Sequence, residues 1–336
     1  MNHPHLVRRG LAALCLSALV LSGTALVPAP ARAAAAEGRL SSSGSYRDSN
    51  SGCTGSGGSQ TFDTPTWTDN GKTVRDSYAV AGKITGPTPT DVTNASVKAA
   101  TAVVATPIRT GPATITVTSS LAASAIPVLP ATTACNGLAN ADSNLDGSFA
   151  LARPMWATIT LVATGSGAHG DMGAYVRLDT AESETRLVRT GRGTATITAF
   201  LPAGTVDLDY EAWLSAQGSE PGHRVGSLDV RLVIALQPLG DASPVTGTGR
   251  SYVAPGARSC PAGTVTVGIA KKAAKRAQRI QLSVNGRPAA SLRGQQLRKR
   301  SFVLRAPAAS SATVAARITL KDGKRLTVSR SYLPCS

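Results

Sequence analysis

The chain has 336 residues and a formal net charge of +16, and only 4% of its residues are aromatic. This length allows two domains, and the shortage of bulky residues argues against a large enzyme fold and favours sandwiches of small side chains. The charge is concentrated: residues 250–336 hold 18 Lys and Arg but one acid, Asp322. The basic excess therefore belongs to one C-terminal module.

The first segment, residues 1–33, has the pattern of a secretory signal peptide. Arg8 and Arg9 precede an apolar run, Leu11–Val20, and the small-residue site Ala31-Arg32-Ala33 follows. The apolar run is too short to span a bilayer, and no second one follows in the mature chain. We therefore expect a protein that is secreted or associated with a cell surface, without a transmembrane segment after cleavage.

Four cysteines remain after the signal peptide: Cys53, Cys135, Cys260 and Cys335. An even number in an exported chain favours two disulfides over free thiols. Three pairings are possible, and the pairing of Cys53 with Cys135 and Cys260 with Cys335 keeps each bridge inside one proposed domain. No two cysteines lie close enough in sequence to suggest a metal site.

Residues 34–60 are rich in Ser and Gly and are predicted as a flexible lead. Residues 61–238 then show recurring strand patterns separated by turn residues, without long helical periodicity. This predicts an antiparallel β-sandwich, with a jelly roll as one candidate topology. The predicted strands are Val74–Ile84, Thr114–Thr118, Trp156–Thr164, Thr194–Phe200 and Leu228–Leu236.

The clearest hairpin pattern runs from Thr194 to Gln217, with a turn at Leu201-Pro202-Ala203-Gly204. Beyond the turn, apolar residues from Val206 to Leu214 alternate with polar ones. The segment resembles the Leu-Pro-Ala-Gly-Thr-Tyr hairpin of secreted jelly-roll accessory domains, with Val206 in place of the Tyr. This resemblance covers less than a tenth of the mature chain; it implies a β-sandwich and no activity.

Residues 239–256 are rich in Pro and Gly and are predicted as a linker. Residues 257–336 are predicted as a small, basic Ig-like sandwich of five to seven strands, with hairpin turns at Asn285-Gly286 and Asp322-Gly323. Its predicted strands are Thr264–Ile269, Ile280–Val284, Ser301–Leu304, Thr313–Leu320 and Leu326–Tyr332.

Four motifs mark this module: Ile280-x-Leu282-x-Val284-Asn285-Gly286-Arg287, the Arg-rich bend Leu297–Arg300, Asp322-Gly323-Lys324-Arg325, and Ser331-Tyr332-x-x-Cys335. Together they resemble Ig-like modules at the C-termini of exported actinobacterial proteins, over nearly all of residues 260–336. The resemblance implies an Ig-like fold and an extracellular setting. It implies no activity, because those modules share none.

Two segments of the sequence resemble ligand-binding loops. Gly165–Gly170 matches the glycine pattern of dinucleotide-binding loops, but a strand and not a helix is predicted after it, so we expect no cofactor. Asp142–Gly147 begins like a calcium loop, yet Arg153 stands where a bidentate carboxylate belongs. The sequence therefore leaves calcium binding near Asp142 and Asp146 open, against an ordinary turn, and predicts no metal site.

Catalytic patterns are weak. Asp207, Asp209 and Glu211 share one strand face with Trp213, as glycan binding or hydrolysis would need, but the polar outer face of any strand looks the same. The two histidines of the mature chain, His169 and His223, lie in glycine-rich segments and are interpreted as surface residues. We predict no catalytic residue.

The strongest functional pattern is the basic charge of the module. The predicted anion-binding residues are Lys271, Lys272, Lys275, Arg276, Arg279, Arg298, Lys299 and Arg300. With one acid in the module, few can be internally paired, so an anionic envelope polymer or polysaccharide is the predicted partner. Nucleic acid is disfavoured because few aromatic residues could stack bases.

The sequence thus predicts an exported, non-catalytic surface or adhesion protein that binds anionic envelope polymers through its C-terminal module. Two alternatives stay open. The charges could serve only the solubility of a small exported domain. The protein could also be an extracellular glycan-binding protein or hydrolase that acts through its N-terminal β-sandwich.

Overall fold

A computed structural model describes residues 36–48, 52–60, 64–108, 111–129, 135–167, 172–219 and 221–336. The predicted signal peptide, residues 1–33, lies outside these residues, as does His169. Throughout the described part the chain is built from antiparallel strands, so the all-β prediction is confirmed.

The N-terminal sandwich spans the first thirteen strands. They are β1 (Glu37–Asp48), β2 (Gly57–Gln60), β3 (Thr66–Thr68), β4 (Val74–Thr85), β5 (Val92–Ala105), β6 (Ala113–Pro127), β7 (Gly137–Leu151), β8 (Met155–Ser166), β9 (Met172–Asp179), β10 (Glu184–Thr190), β11 (Gly193–Leu201), β12 (Gly204–Gln217) and β13 (Val225–Pro238). A short 3-10 turn, Pro221–His223, precedes the last of them.

These strands form two sheets that pack face to face. Sheet A has the order β10-β9-β12-β7-β1-β2, with β3 also paired to β1, and sheet B has the order β11-β8-β13-β6-β5-β4. Alternate residues of β5, β6, β7, β8, β12 and β13 are buried between the sheets, which is the period-2 pattern expected of a sandwich. Alanine, valine and leucine dominate this core, and Trp67, Tyr210 and Phe149 are its largest side chains.

A chain of buried hydroxyl groups crosses the core from one sheet to the other. Tyr210 on β12 donates to Ser119 Oγ on β6 at 2.9 Å, and Ser119 Oγ lies 2.7 Å from Ser143 Oγ on β7. Ser143 also bonds to Thr101 on β5, whose Oγ1 lies 3.2 Å from Ser42 Oγ on β1. Each buried hydroxyl therefore has a partner, which removes the cost of burying it.

The prediction of a flexible lead over residues 34–60 is wrong for most of that segment. Glu37–Asp48 forms β1, which pairs along its whole length with β7. Small residues are needed here because the sheets approach closely: a Cβ on Gly44 would lie 2.2 Å from Val97 Cγ1. The Ser and Gly content that suggested flexibility therefore reflects tight packing.

The predicted hairpin over Thr194–Gln217 is also wrong, although both of its strands exist. β11 pairs with β8 in sheet B, whereas β12 pairs with β7 and β9 in sheet A. The tight turn at Pro202-Ala203 therefore carries the chain across the edge of the sandwich, from one sheet to the other. The alternation of residues is the same in both cases, because each strand buries one face whichever strand it pairs with.

The C-terminal module contains seven strands and two short helical turns. They are β14 (Val253–Ser259), β15 (Thr264–Ile269), helix α1 (Lys271–Arg276), β16 (Ala277–Val284), β17 (Arg287–Arg293), the 3-10 turn Gly294–Arg298, β18 (Ser301–Arg305), β19 (Ala312–Leu320) and β20 (Arg325–Tyr332).

A three-stranded sheet, β14-β15-β18, and a four-stranded sheet, β17-β16-β19-β20, enclose the core of the module. In the lettering used for Ig domains, β14, β15 and β18 correspond to strands A, B and E, and they face C′, C, F and G, which correspond to β17, β16, β19 and β20. This is an Ig-like arrangement. The predicted turn at Asn285-Gly286 has positive φ at both residues, 49° and 77°, as such a two-residue hairpin requires.

Residues 239–256, predicted as a linker, lie along the module. Ala242 forms an antiparallel bridge with Tyr332, and Thr246 forms one with Ser329. At the joint between sandwich and module, the indole Nε1 of Trp156 donates to the Pro334 carbonyl at 3.1 Å. The backbone N–H of Gly240 donates to the same carbonyl at 2.9 Å.

Both predicted disulfides are present, and of the three possible pairings the structure has the one that keeps each bridge inside one domain. Cys53 bonds to Cys135 across 82 residues, and Cys260 bonds to Cys335 across 75 residues. Two such bonds are typical of proteins that fold in an oxidising, extracellular environment. Within the described residues, no helix has both the length and the apolar character needed to cross a membrane.

Candidate functional site

Three chain connections at one end of the module gather its basic residues. Helix α1 connects β15 to β16 and packs against the 3-10 turn between β17 and β18. The N–H of Ile269, just before α1, donates to the Arg300 carbonyl at 2.8 Å. The β19–β20 turn joins the same end, because the N–H of Lys321 donates to the Arg276 carbonyl at 2.9 Å.

We call this surface the basic end. It consists of Lys271, Lys272, Lys275, Arg276, Arg298, Lys299, Arg300, Lys321, Lys324 and Arg325, all of which are exposed. Seven of the eight predicted anion-binding residues are among them. The eighth, Arg279, is half-buried on β16, where its Nε lies 3.2 Å from Ser291 Oγ.

Apolar anchors explain why the charged side chains point outward. Ala273 is buried beneath α1, and Leu297 is buried beneath the 3-10 turn, both within the core of the module. In such short turns the residues beside the anchor have no core position to occupy, so their charged side chains stay in water. The sequence therefore places each cation on the surface by burying its apolar neighbour.

The basic end has ten cations and one carboxylate, Asp322, and none of these groups belongs to an ion pair among the described residues. Asp322, the only acid of the module, accepts a hydrogen bond from the Lys324 N–H at 3.0 Å and closes the turn. The ion pairs of the described residues join Arg177 to Asp179 and to Asp209, in the N-terminal sandwich. The basic end thus carries unpaired positive charge, which attracts anions over a distance of about one Debye length, ~8–10 Å in physiological salt.

Two arginines of the module serve the fold. Arg258 is 8% exposed and donates to the carbonyls of Leu333 at 2.6 Å, of Ser310 at 3.2 Å and of Pro307, and its burial lowers its pKa. Arg330 donates to the carbonyls of Ser243, Pro255 and Gly256 at 2.8–3.1 Å. Counting charges in the sequence cannot separate these two residues from the exposed ones.

The basic end lies at the far side of the module from the joint. Strand β20 begins at Arg325 in the basic end and finishes at Tyr332, close to Pro334, which contacts Trp156 of the sandwich. Eight extended residues span roughly 23 Å. The exposed side chains of the basic end are therefore not covered by the contact between sandwich and module.

The segment predicted as a calcium loop or turn is neither. Asp142 and Asp146 lie on the outer face of β7, in the middle of sheet A, and β7 is paired on both sides, with β1 and with β12. A paired strand cannot wrap around a cation as a loop does. Across the described residues, no group of three His, Cys, Asp or Glu side chains is placed to hold a metal ion.

The acids of β12 lie beside those of β7 on this outer face. Asp209 stands opposite Asp146 on one side and Arg177 on the other, and it accepts a hydrogen bond from the Tyr175 hydroxyl at 3.2 Å. Burial, followed by repulsion from Glu211, raises the pKa of Asp142 to about 6. Burial, followed by the charge of Asp209, raises the pKa of Tyr175 to about 12.

The remaining predicted candidates do not assemble into a site. His223 is half-buried in the 3-10 turn before β13, and the described part of the glycine motif, Gly165–Gly167, ends β8. Residues 168–170, which complete that motif, lie outside the described residues. A strand, β9, follows the motif as predicted.

No protein-family model matches the chain. A search of curated proteins also finds no match. Among solved structures, the adhesin domain of Epf from Streptococcus pyogenes aligns with 11% identity over 79% of this chain and 92% of that chain, with a TM-score of 0.22. A TM-score this low carries no argument about fold or function.

Proposed function

We propose that this protein is an exported, non-catalytic surface protein that attaches to anionic polymers of a cell envelope through its basic end. The observation that carries this proposal is the convergence of three basic connections on one exposed surface, whose ten cations face one carboxylate and belong to no ion pair among the described residues. The two disulfides favour a setting outside the cell, where such polymers are within reach.

The chemistry of the basic end suits a repeating anion better than a single small ligand. Its cations are dispersed over three connections of the module. Phosphodiester or uronate groups that recur along a chain could engage many of them at once, and each contact would be weak and sensitive to salt.

The aromatic residues near the basic end favour an envelope polymer over nucleic acid. Tyr252 is buried, with Lys272 Nζ 4.7 Å from its ring centroid. Phe302 is half-buried, with Lys299 Nζ 5.9 Å from its ring centroid. Neither ring offers the open face on which a base stacks.

Sedimentation with isolated envelopes tests the proposal. The mature protein is compared with a variant that carries Lys271→Gln, Lys272→Gln, Lys275→Gln and Arg276→Gln. We expect the variant to bind at least tenfold more weakly at about 50 mM salt, and we expect binding of the parent protein to weaken steeply as salt rises.

The matched control removes four exposed cations from the N-terminal sandwich: Arg39→Gln, Arg47→Gln, Lys72→Gln and Arg153→Gln. Both variants lose the same charge, so only the location differs. If the control loses as much binding as the basic-end variant, net charge explains the attachment and the assignment of a site is rejected. Binding that does not change with salt would also contradict the proposal.

A further inference from the structure

Sheet B carries a groove on its outer face, away from the core. A cavity of 640 Å³ lies over β4, β5, β6 and β13. Along one row of the sheet, Arg75 stands opposite Ala102, Ala102 opposite Thr118, and Thr118 opposite Arg231. Three strand spacings separate the two arginines, roughly 14 Å. The residues between them are small, so the long arginine side chains form the walls of a cleft.

The cavity continues along the strands. Its neighbour, of 400 Å³, shares Ser77, Ala100 and Ser120 with it. A third cavity, of 420 Å³, is separate from these two but lies in line with them along β4, and Lys83 is in its lining. The groove thus follows β4 from Arg75 to Lys83, a distance of about 27 Å for extended chain. Its length and shape suit a linear polymer better than a compact ligand.

The lining of the groove is positive and rich in hydroxyl groups. Its exposed cations are Arg75, Lys83, Lys98 and Arg231, and its acids are the exposed Asp229 and the half-buried Asp76, which accepts a hydrogen bond from the Ser42 N–H. Hydroxyl groups of Ser77, Thr118, Ser120, Ser96 and Ser124 lie between them. None of these four cations belongs to an ion pair among the described residues.

Aromatic stacking contributes little here. Tyr78 is the one aromatic residue that lines the three cavities in the described structure, and it is half-buried on the opposite face of β4 from Ser77 and Ala79. Neutral glycans usually need an exposed ring against the sugar face. Arginine instead recognises planar carboxylates and phosphates through paired N–H groups.

We propose that this groove binds one extended segment of an anionic polysaccharide, with Arg75 and Arg231 holding acidic groups on its two walls. The hydroxyl groups of the floor then bond to the hydroxyl groups of the chain. The acidic group is the carboxylate of a uronate, because a floor rich in hydroxyl groups suits sugar rings that carry hydroxyl groups of their own. Poly(glycerol phosphate), which has the charge without the rings, is the comparison in the test. This assignment concerns the N-terminal sandwich and does not rest on the basic end.

Calorimetry on the full mature chain tests the groove, in a background that carries Lys271→Gln, Lys272→Gln, Lys275→Gln and Arg276→Gln. This background weakens binding by the basic end, so any binding that remains reports on the groove. The sedimentation experiment tests the basic end, and each proposal can therefore fail without the other. The probes are oligogalacturonate, poly(glycerol phosphate) and a neutral linear glucan. We expect saturable binding of oligogalacturonate and at least tenfold weaker binding of the glucan.

Two variants locate the binding. The double substitution Arg75→Gln with Arg231→Gln should lower the affinity for the anionic probe at least tenfold. Ala100→Phe, which fills the cleft without changing the charge, should lower it by a similar factor. The matched control is Arg47→Gln with Arg153→Gln, which should change affinity less than twofold. Thermal unfolding shows that each variant is folded.

Three results would overturn the assignment of the groove. One is the absence of oligogalacturonate binding in this background, whether or not poly(glycerol phosphate) binds. Another is equal binding of the glucan. The third is a folded Ala100→Phe variant with unchanged affinity, which would place the contact elsewhere.

Discussion

At the scale of single residues, a buried guanidinium holds the last segment of the chain in place. Arg258 bonds to three carbonyls, and two of them, those of Pro307 and Ser310, belong to the β18–β19 connection, while that of Leu333 follows β20. A charge in this position is tolerated because carbonyl oxygens replace the water it loses. Arg258 is therefore a structural residue inside a module whose other cations mostly face solvent.

We expect Arg258→Met to lower the free energy of unfolding by about 2 kcal/mol, because three backbone carbonyls lose a charged donor that Met cannot replace. Denaturant unfolding of the mature protein measures this. Arg305→Met, at an exposed position of β18, is the control and should stay within about 0.5 kcal/mol of the parent. Equal effects of the two substitutions would show that the carbonyl contacts do not matter.

Asp142 illustrates the opposite situation, a charge that the fold disfavours. Burial and Glu211 raise its pKa from 3.8 to about 6, so the folded state binds the proton more tightly than the unfolded state does. Asp142 therefore contributes most to the free energy of unfolding below pH 3.8, where its carboxyl is protonated in both states. This contribution is lost as pH rises from 3.8 to about 6.

Replacing the ionisable carboxyl should therefore stabilise the protein at neutral pH. We expect Asp142→Asn to raise the free energy of unfolding by about 1 kcal/mol at pH 7.5, a value reduced for partial exposure to solvent, and to have a smaller effect at pH 4.5. Unfolding curves at both pH values measure it. Glu182→Gln, in an exposed loop, should show neither the gain nor its pH dependence.

At the scale of elements, β1 is a strand that the sequence pattern did not predict. Alternation of apolar and polar residues revealed β6, β8 and β13, whose buried positions hold valine, leucine and isoleucine. In β1 the buried positions hold Leu40, Ser42 and Gly44, so the hydrophobic contrast is weak. The close approach of the two sheets, and not a hydrophobic pattern, explains the small residues of β1. That approach depends on the other strands, so the sequence of β1 alone does not predict it.

Gly44 offers a direct test of this close packing. We expect Gly44→Ala to lower the free energy of unfolding by about 1–3 kcal/mol, because the added methyl group would overlap Val97 and force the sheets to shift. Gly222→Ala is the control, since nothing lies within 4 Å of the added Cβ there. If the two variants were equally stable, β1 would have room that the packing does not show.

Strand pairing is the second feature of the elements that local patterns leave open. The Asn285-Gly286 turn could be predicted because two successive residues of positive φ leave few alternatives. The Leu201–Gly204 segment gave an equally clear turn, yet the chain changes sheet there. Which strand lies beside β11 is decided by β8, far away in sequence, and no local pattern encodes that choice.

At the scale of the whole molecule, the charge asymmetry was visible in the sequence, but its arrangement was not. Lys271 and Arg298 stand 27 positions apart. They become neighbours because an Ig-like sandwich brings alternate connections to the same end. The groove on sheet B escaped prediction for a related reason: Arg75 and Arg231 face each other only once four strands have taken their register.

The bond between Cys260 and Cys335 has a mechanical consequence for a protein held by its basic end. It closes a covalent ring around that end, and a pull transmitted from the sandwich reaches the ring beside Gly240. The shorter arm of the ring, from Cys335 back to Arg325, is ten residues long. With every strand undone, a pull from Gly240 would run along the 20 residues to Cys260, across the disulfide and along these ten residues, so the covalent path to Arg325 is limited to roughly 105 Å. Without the disulfide, the 85 residues from Gly240 to Arg325 could extend to roughly 300 Å, so the bond makes the module a shorter tether.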